Sequence, residues 1–462
     1  MARVNPQPWS SQTIKRILVL VTLIGLASVF IWLWRPPQPP EAPTQANTPP
    51  TTDGFAFTGA GSCSSSACHG GIAPRPNERV RLNEYSIWVL HDKHAKAYDV
   101  LLNEKSKRMA RLLKLDKPET SDKCLDCHAT NVPTNLQTKS FNITDGVSCE
   151  SCHGPAGGWL SEHTQKGWKH AQSLSLGMYD TKNTIKRAEK CLSCHLGTDT
   201  KKVDHEMIAA GHPDLTFELD TDIAIMPAHW LETEDKGPWF GVRQWAVGQA
   251  VALREGMKRL ARQAESQAWE RGWPELAELD CYACHHSLRE PSWRQQRGYR
   301  NTPGYPSYND SRYRVFRHAL ASISPNMRQT LDEKIEQLHR MFDQPVYRRR
   351  DIAATAQQVA DIADQLARQL DSMAFDQQIT RAILRAVSSD EQVGLVSGIR
   401  SAEQAVMTIN TLFRTYRKAT TVPNEAAITA AIDRLFEDLK DPARFDPNLF
   451  AAHLRAVHKF FQ

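Results

Sequence analysis

The sequence contains the stretch Cys149-Glu150-Ser151-Cys152-His153-Gly154-Pro155-Ala156-Gly157-Gly158-Trp159, and the rest of the chain is interpreted outward from it. Two cysteines with two residues between them and a histidine directly after them are typical of covalent attachment of a c-type haem. The two thiols bond to the macrocycle, and the histidine ligates the iron. This stretch therefore predicts one covalently bound haem.

All ten cysteines of the chain fall into pairs of this kind, and each pair is followed directly by a histidine. We call them the first to fifth motifs; their cysteines are Cys63 and Cys68, Cys124 and Cys127, Cys149 and Cys152, Cys191 and Cys194, and Cys281 and Cys284, and their predicted iron ligands are His69, His128, His153, His195 and His285. The first motif has four residues between its cysteines instead of two. We keep it as a haem site because a longer loop still reaches both attachment points. Five haem c groups are expected.

Zinc binding and disulfide formation account for the cysteines less well. A zinc site usually combines one cysteine pair with a second pair, whereas each pair here has its own histidine at the same offset. A disulfide framework suits small secreted chains, whereas 462 residues are enough to bury a large core. Haem attachment accounts for all five motifs with one chemistry.

The composition, with 24% charged residues and a net charge of +5, indicates an ordinary globular protein and no nucleic-acid partner. Covalent haem attachment belongs outside the cytoplasm, so an export element is expected. Residues 17–34 form an uncharged apolar run that is long enough to span a bilayer. Lys15 and Arg16 precede it, and Trp32 and Trp34 lie at its end, as in an anchor with a positive cytoplasmic side. A cleaved signal peptide is less favoured because no small-residue cleavage site follows.

The predicted fold class is mainly α with many loops, as a multihaem cytochrome c domain followed by a helical C-terminal region. The predicted segments are a cytoplasmic N-terminus at 1–16, a transmembrane anchor at 17–34, a proline-rich linker at 35–57, a pentahaem domain at 58–300 and the helical region at 301–462. Short helices and loops packed around the haems are expected in the pentahaem domain. In the last region, apolar residues such as Leu331, Ile335, Leu338 and Phe342 recur at helical spacing.

The group that fills the sixth position of each iron separates an electron carrier from a catalyst. Twelve of the 17 histidines lie outside the motifs. His94 lies in a segment, residues 85–98, that is predicted to be one helix. His163 follows the third motif in a loop rich in glycine and tryptophan, and His212 precedes a proline that disfavours helix. His229 has a similar proline-flanked context.

Three separated segments resemble the cytochrome c-554 family of multihaem cytochromes: Cys149 to Trp159, Trp88 to Tyr98, and Ala210 to Pro213. The resemblance covers about residues 58–290. It implies closely stacked haems with mainly bis-histidine ligation. By that likeness the distal ligands are His94, His163, His205 and His212, with His229 as the fifth candidate. The type member of the family carries four haems, whereas this chain has five motifs, and the sequence does not assign the distal histidines to particular haems.

We expect a protein anchored in the cytoplasmic (inner) membrane by a single pass, with its haem domain in the periplasm and no catalytic residue. It would pass electrons from a membrane electron donor to a periplasmic redox partner. The competing hypothesis is a multihaem oxidoreductase that acts on a small nitrogen or sulfur compound at a five-coordinate haem. A third makes the C-terminal helices a docking or dimerisation module.

Overall fold

The computed structural model describes residues 55–75, 80–232, 236–266, 273–285, 302, 304–389 and 398–462. The predicted anchor at 17–34 and residues 35–54 of the predicted linker lie outside these ranges. Within the described ranges, no helix is long and apolar enough to cross a bilayer.

The described part of the chain is built from α-helices joined by loops and short 3-10 turns. Its helices are α1 Glu84–His91, α2 Ala97–Leu101, α3 Glu104–Leu112, α4 Asp122–His128, α5 Cys149–His153, α6 His170–Ser175, α7 Thr184–His195, α8 His205–Ala210, α9 Leu219–Ile225, α10 Phe240–Glu265, α11 Ser311–Ile323, α12 Pro325–Phe342, α13 Arg349–Ser372, α14 Gln377–Ser389, α15 Ile399–Ala419, α16 Glu425–Glu437 and α17 Pro447–His458. Extended pairing in the described residues consists of two isolated bridges, Phe57 with Gln137 and Leu279 with Tyr308. The predicted fold class is confirmed.

Three of the short helices in the N-terminal half end at a motif histidine. These are α4, α5 and α7, whose last residues are His128, His153 and His195. Helical backbone over a motif places its two cysteines, three residues apart, on the same side of the helix. The two thiols and the following histidine therefore lie on one side of the helix, where a haem could bind to all three.

A long helix before the fifth motif was not expected. Helix α10 has 26 residues, of which 19 are buried, and it packs along α13 and against α7, α11 and α15. Its buried residues include polar side chains such as Gln244, Gln249 and Gln263 beside Trp245. Because this helix is enclosed on most of its circumference, it has no narrow apolar stripe, and the periodicity that predicts surface helices is weak here.

The helices predicted after residue 300 are present. Leu331, Ile335, Leu338 and Phe342 are all buried along α12, in the same apolar core as α10. This core therefore draws on residues from both sides of the predicted domain boundary. The boundary itself lies among residues that the structure does not describe and stays a prediction.

The single helix predicted for residues 85–98 is wrong. Helix α1 ends at His91, and Asp92 has extended backbone with φ −85° and ψ 128°. The Asp92 side chain accepts a hydrogen bond from the backbone N–H of His94 and so caps a new 3-10 turn, Lys93–Lys96. An aspartate that finds a backbone donor two residues on competes with helix continuation.

The buried Glu218 predicts a pH dependence of stability. It caps α9 by accepting hydrogen bonds from the backbone N–H groups of Asp220 and Thr221. Burial, and then the negative charge of Asp220, raise the pKa of Glu218 from 4.5 to about 7. An acid whose pKa is raised by folding favours folding most when protonated, so its contribution falls as the pH rises from about 4.5 to 7.

We expect the ionisation of Glu218 to lower the free energy of unfolding by about 3 kcal/mol between pH 4 and pH 8. Glu218→Gln removes the ionisation, so chemical unfolding followed by circular dichroism is expected to give equal stabilities at pH 4 and a more stable variant at pH 8. Parallel pH profiles for both proteins would contradict the prediction.

Candidate functional site

Glu150, between the cysteines of the third motif, connects that motif to the first. Its side chain is only 2% exposed and accepts hydrogen bonds from three backbone N–H groups: Thr58 at 2.8 Å, Gly59 at 2.7 Å and Ala156 at 2.7 Å. A buried carboxylate is stable when several donors satisfy its oxygens. Glu150 thereby holds two backbone segments in place: residues 58 and 59, which precede the first motif, and the loop after His153 that contains Ala156.

The motifs lie next to one another in a definite order. None of the ten cysteines, all of which the structure describes, forms a disulfide. The side chain of Cys149 lies against that of Cys63, and the side chain of Cys127 lies against that of Cys194. Cys152 lies near the first cysteine of the fourth motif. The third motif is therefore adjacent to the first and the fourth, and the second is adjacent to the fourth.

Four of the predicted haem-binding cysteines take no part in these contacts between motifs within the described part of the chain: Cys68, Cys124, Cys281 and Cys284. Cys284 is exposed, whereas the other three are half-buried. The backbone N–H of Cys68 donates to the carbonyl oxygen of Ser65 at 2.8 Å, and that of Cys284 donates to Cys281 at 3.2 Å. The structure thus does not bring Cys68 or Cys284 to a neighbouring motif. Haem attachment at all ten cysteines rests on the motif pattern and stays a prediction.

The widened first motif closes in the same way as a regular one. The backbone N–H of His69 donates to the carbonyl oxygen of Cys63 at 3.2 Å, and in the fifth motif His285 donates to Cys281 at 2.7 Å. The two extra residues form a turn, over which Gly70 passes so closely that a Cβ there would lie 1.8 Å from a carbonyl oxygen. The longer loop thus leaves the histidine in the same relation to the first cysteine.

Four motif histidines are each paired with a histidine from outside the motifs. The distances between ring centroids are 6.2 Å for His69 and His163, 6.1 Å for His94 and His195, 6.4 Å for His128 and His212, and 6.3 Å for His205 and His285. Every pair joins one predicted proximal ligand to one predicted distal ligand. In that order the partners lie 94, 101, 84 and 80 positions apart in the sequence, so the pairs arise from the tertiary fold.

This spacing fits two imidazoles on one iron. A bond of about 2 Å from the metal to each ring nitrogen, with roughly 1 Å more from that nitrogen to the ring centre, places two axial rings about 6 Å apart. The second cysteine of each motif directly precedes the proximal histidine in the sequence, as covalent attachment beside that ring requires. The residues therefore fit a haem c with two histidine ligands in the first, second, fourth and fifth motifs.

The third motif differs. Among the rings that the structure describes, His153 has no partner at the paired spacing. Burial lowers the pKa of His153 to about 4, and of the charged groups around it His229 has the largest effect. His229 is itself half-buried, and its Nδ1 lies 3.4 Å from the carbonyl oxygen of Pro227. The fifth predicted distal histidine thus lies near the third motif, but its ring is not in the arrangement of the other four pairs.

Hydrogen bonds at Nδ1 orient most of these rings. Backbone carbonyl oxygens lie near the Nδ1 atoms of three of them: Ala97 at 3.0 Å from His128, Trp159 at 2.8 Å from His163, and Pro213 at 2.8 Å from His212. A donor hydrogen bond at Nδ1 leaves Nε2 as the atom that can bind a metal.

Two carboxylates that contact predicted iron ligands were not identified from the sequence. Glu84 and Asp92 place carboxylate oxygens 2.9 Å from the Nδ1 atoms of His69 and His94. Asp92 could have been predicted to contact His94, because it lies only two positions before this candidate ligand. Glu84 gives no such signal, because fifteen positions separate it from His69.

Three histidines that are not candidate ligands have partners of a different kind. His170 is exposed beside Asp180, His339 is buried against Asp310, and His453 contacts Asp438. His286 lies outside the described residues. The paired rings therefore come from the predicted ligand set.

The comparisons with known proteins concern part of the chain. Residues 63–154, which contain the first three motifs, match the family model described as cytochrome c554 and c-prime. Over 116 residues the chain is 32% identical to cytochrome c-554 of Nitrosomonas europaea. The aligned stretch covers 22% of this chain and 48% of that protein. The chain thus spans about half the length of this curated relative. No solved structure gives a significant match. Residues 63–154 are therefore similar to the cytochrome c-554 family, whose c-type cytochromes carry covalently bound haem.

Proposed function

We propose that the chain is a membrane-anchored, periplasmic electron-transfer protein with five covalently attached haems. The observation that carries this proposal is the set of four histidine pairs, each at the spacing of two axial ligands. Two imidazoles on one iron leave no position for a substrate, and such a site exchanges electrons without binding a reactant. When bound, the haem irons supply the reversible one-electron step.

The contacts between motifs support a continuous row. Neighbouring cysteine side chains place the first motif beside the third and the second beside the fourth, and Cys152 places the third beside the fourth. Helix α8 extends the row to the fifth motif, because His205 at its start pairs with His285 and His212, just after its end, pairs with His128. The proposed order is first, third, fourth, second and fifth.

The proposed partners are a membrane electron donor and a periplasmic redox protein. Support for the anchor comes from the apolar run at residues 17–34. Support for the compartment comes from covalent haem attachment and from the cytochrome c-554-like region.

The haem count and the spin states test the proposal together. We expect intact-protein mass spectrometry to find five covalently attached haems, and electron paramagnetic resonance of the oxidised protein to show low-spin iron at each bis-histidine site. The mass of only four haems would refute attachment at the widened first motif or at one of the regular motifs. Several high-spin irons would contradict the carrier function.

The arrangement of His153 supports a second candidate function. If His229 does not ligate the third haem, that iron has an open position, and a small nitrogen or sulfur compound can bind there. One high-spin iron that shifts on addition of cyanide, and that is unchanged in His229→Ala, would support an oxidoreductase. Loss of a low-spin signal in His229→Ala would instead identify His229 as the ligand.

A further inference from the structure

One short helix carries carboxylates at both of its ends, and each contacts a different haem-site histidine. Glu84 is the first residue of α1, and its Oε2 lies 2.9 Å from Nδ1 of His69 in the first motif. Asp92 directly follows the last residue of α1, and its Oδ1 lies 2.9 Å from Nδ1 of His94. His94 pairs with His195 of the fourth motif.

Both carboxylates are held in place by backbone donors. Glu84 Oε1 accepts from the N–H groups of Arg81 at 2.8 Å and Leu82 at 3.2 Å. Asp92 is only 5% exposed, and its Oδ1 also accepts from the N–H of His94 at 2.9 Å. These bonds fix each acceptor opposite its imidazole.

The second motif provides an internal contrast. Nδ1 of His128 lies near the carbonyl oxygen of Ala97, and Nδ1 of its partner His212 lies near that of Pro213. Both rings of this pair therefore have neutral acceptors. The first and fourth motifs each have one ring with an anionic acceptor.

An anionic acceptor changes what the imidazole donates to the metal. A carboxylate that binds the Nδ1–H draws the proton away from the ring, which makes Nε2 a stronger donor. A stronger donor stabilises the ferric iron more than the ferrous iron, so the reduction potential falls. Burial strengthens the effect because little water screens the charge.

We propose that Glu84 and Asp92 are positioning residues that lower the reduction potentials of the first and fourth haems below that of the second. The inference rests on the proposed haem ligation. In the proposed row the second haem is the neighbour of the fourth, so electrons are expected to pass from the fourth haem to the second.

The test uses the full-length protein with its haems and the isosteric variants Glu84→Gln and Asp92→Asn. Each amide still accepts a hydrogen bond but carries no charge. In a spectroelectrochemical titration resolved into one-electron steps, we expect each variant to shift one step to higher potential, and a different step in each. Asp99→Asn is the control, because it removes the same charge from an exposed position on the neighbouring helix α2.

Three results of the titration would overturn the proposal: shifts no larger than in the control, shifts to lower potential, or a uniform shift of all five steps. Loss of a low-spin signal in Glu84→Gln or Asp92→Asn would show that the carboxylate only holds the ring in place, and would also overturn it. His94→Ala separates this from the proposed function. If His94 is a ligand, that variant loses one low-spin iron whether or not Asp92 tunes the potential.

Discussion

Replacing His163 by alanine is expected to convert one low-spin haem into a high-spin haem and to open it to external ligands. His163 Nδ1 lies 2.8 Å from the carbonyl oxygen of Trp159, and its ring centroid lies 6.2 Å from that of His69, with 9° between the ring planes. Alanine leaves the sixth position of the first haem without a protein ligand. The measurement is the high-spin signal in electron paramagnetic resonance, together with carbon monoxide binding to the reduced protein.

His170→Ala is the matched control. It removes a histidine seven positions later, which is exposed and hydrogen-bonded to Asp180 at 3.0 Å. We expect its spectra to equal those of the unmodified protein. Added imidazole is expected to restore the low-spin signal of His163→Ala, because it occupies the vacated position. A spectrum of His163→Ala that stays fully low-spin would show that this histidine is not a ligand.

The attachment sites can be predicted from the sequence because covalent haem attachment is local. Both thiols and the proximal histidine lie within one helical turn, as in α5, so a short pattern contains the whole geometry. The distal histidines stay a predicted set, and the sequence did not show which motif histidine each of them faces. His94 lies opposite His195, and nothing near either residue encodes that contact. Such pairing depends on how distant loops pack.

The errors in the helix predictions have separate physical causes. The break after His91 comes from the capping bond of Asp92, which competes with helix continuation over a segment that otherwise has good helical spacing. Helix α10 was missed because polar residues such as Gln249 are buried in it. The carboxylate of Glu84 became meaningful only when the fold brought it to His69.

Arg254 connects helix α7, which ends in the fourth motif, to the C-terminal helix α13. Its side chain, 3% exposed, lies on α10 and donates to Asp364 on α13 at 2.7 Å. It also pairs with Glu189 on α7, the helix that ends in the fourth motif, and with Glu255 at 2.7 Å. A buried guanidinium that satisfies three carboxylates is costly to remove, because the carboxylates keep their charge and lose their partner.

We expect Arg254→Met to lower the free energy of unfolding by about 3 kcal/mol, the lower end of the range for breaking a buried ion pair, because the three carboxylates are partly exposed to water. Arg368→Met is the control: Arg368 contacts the same Asp364 at 2.5 Å but its side chain is 65% exposed. Exposed pairs are screened, so its loss is expected to cost less than about 1 kcal/mol. Chemical unfolding followed by circular dichroism measures both. Equal costs for the two variants would show that burial of Arg254 does not hold α7 to the C-terminal helices.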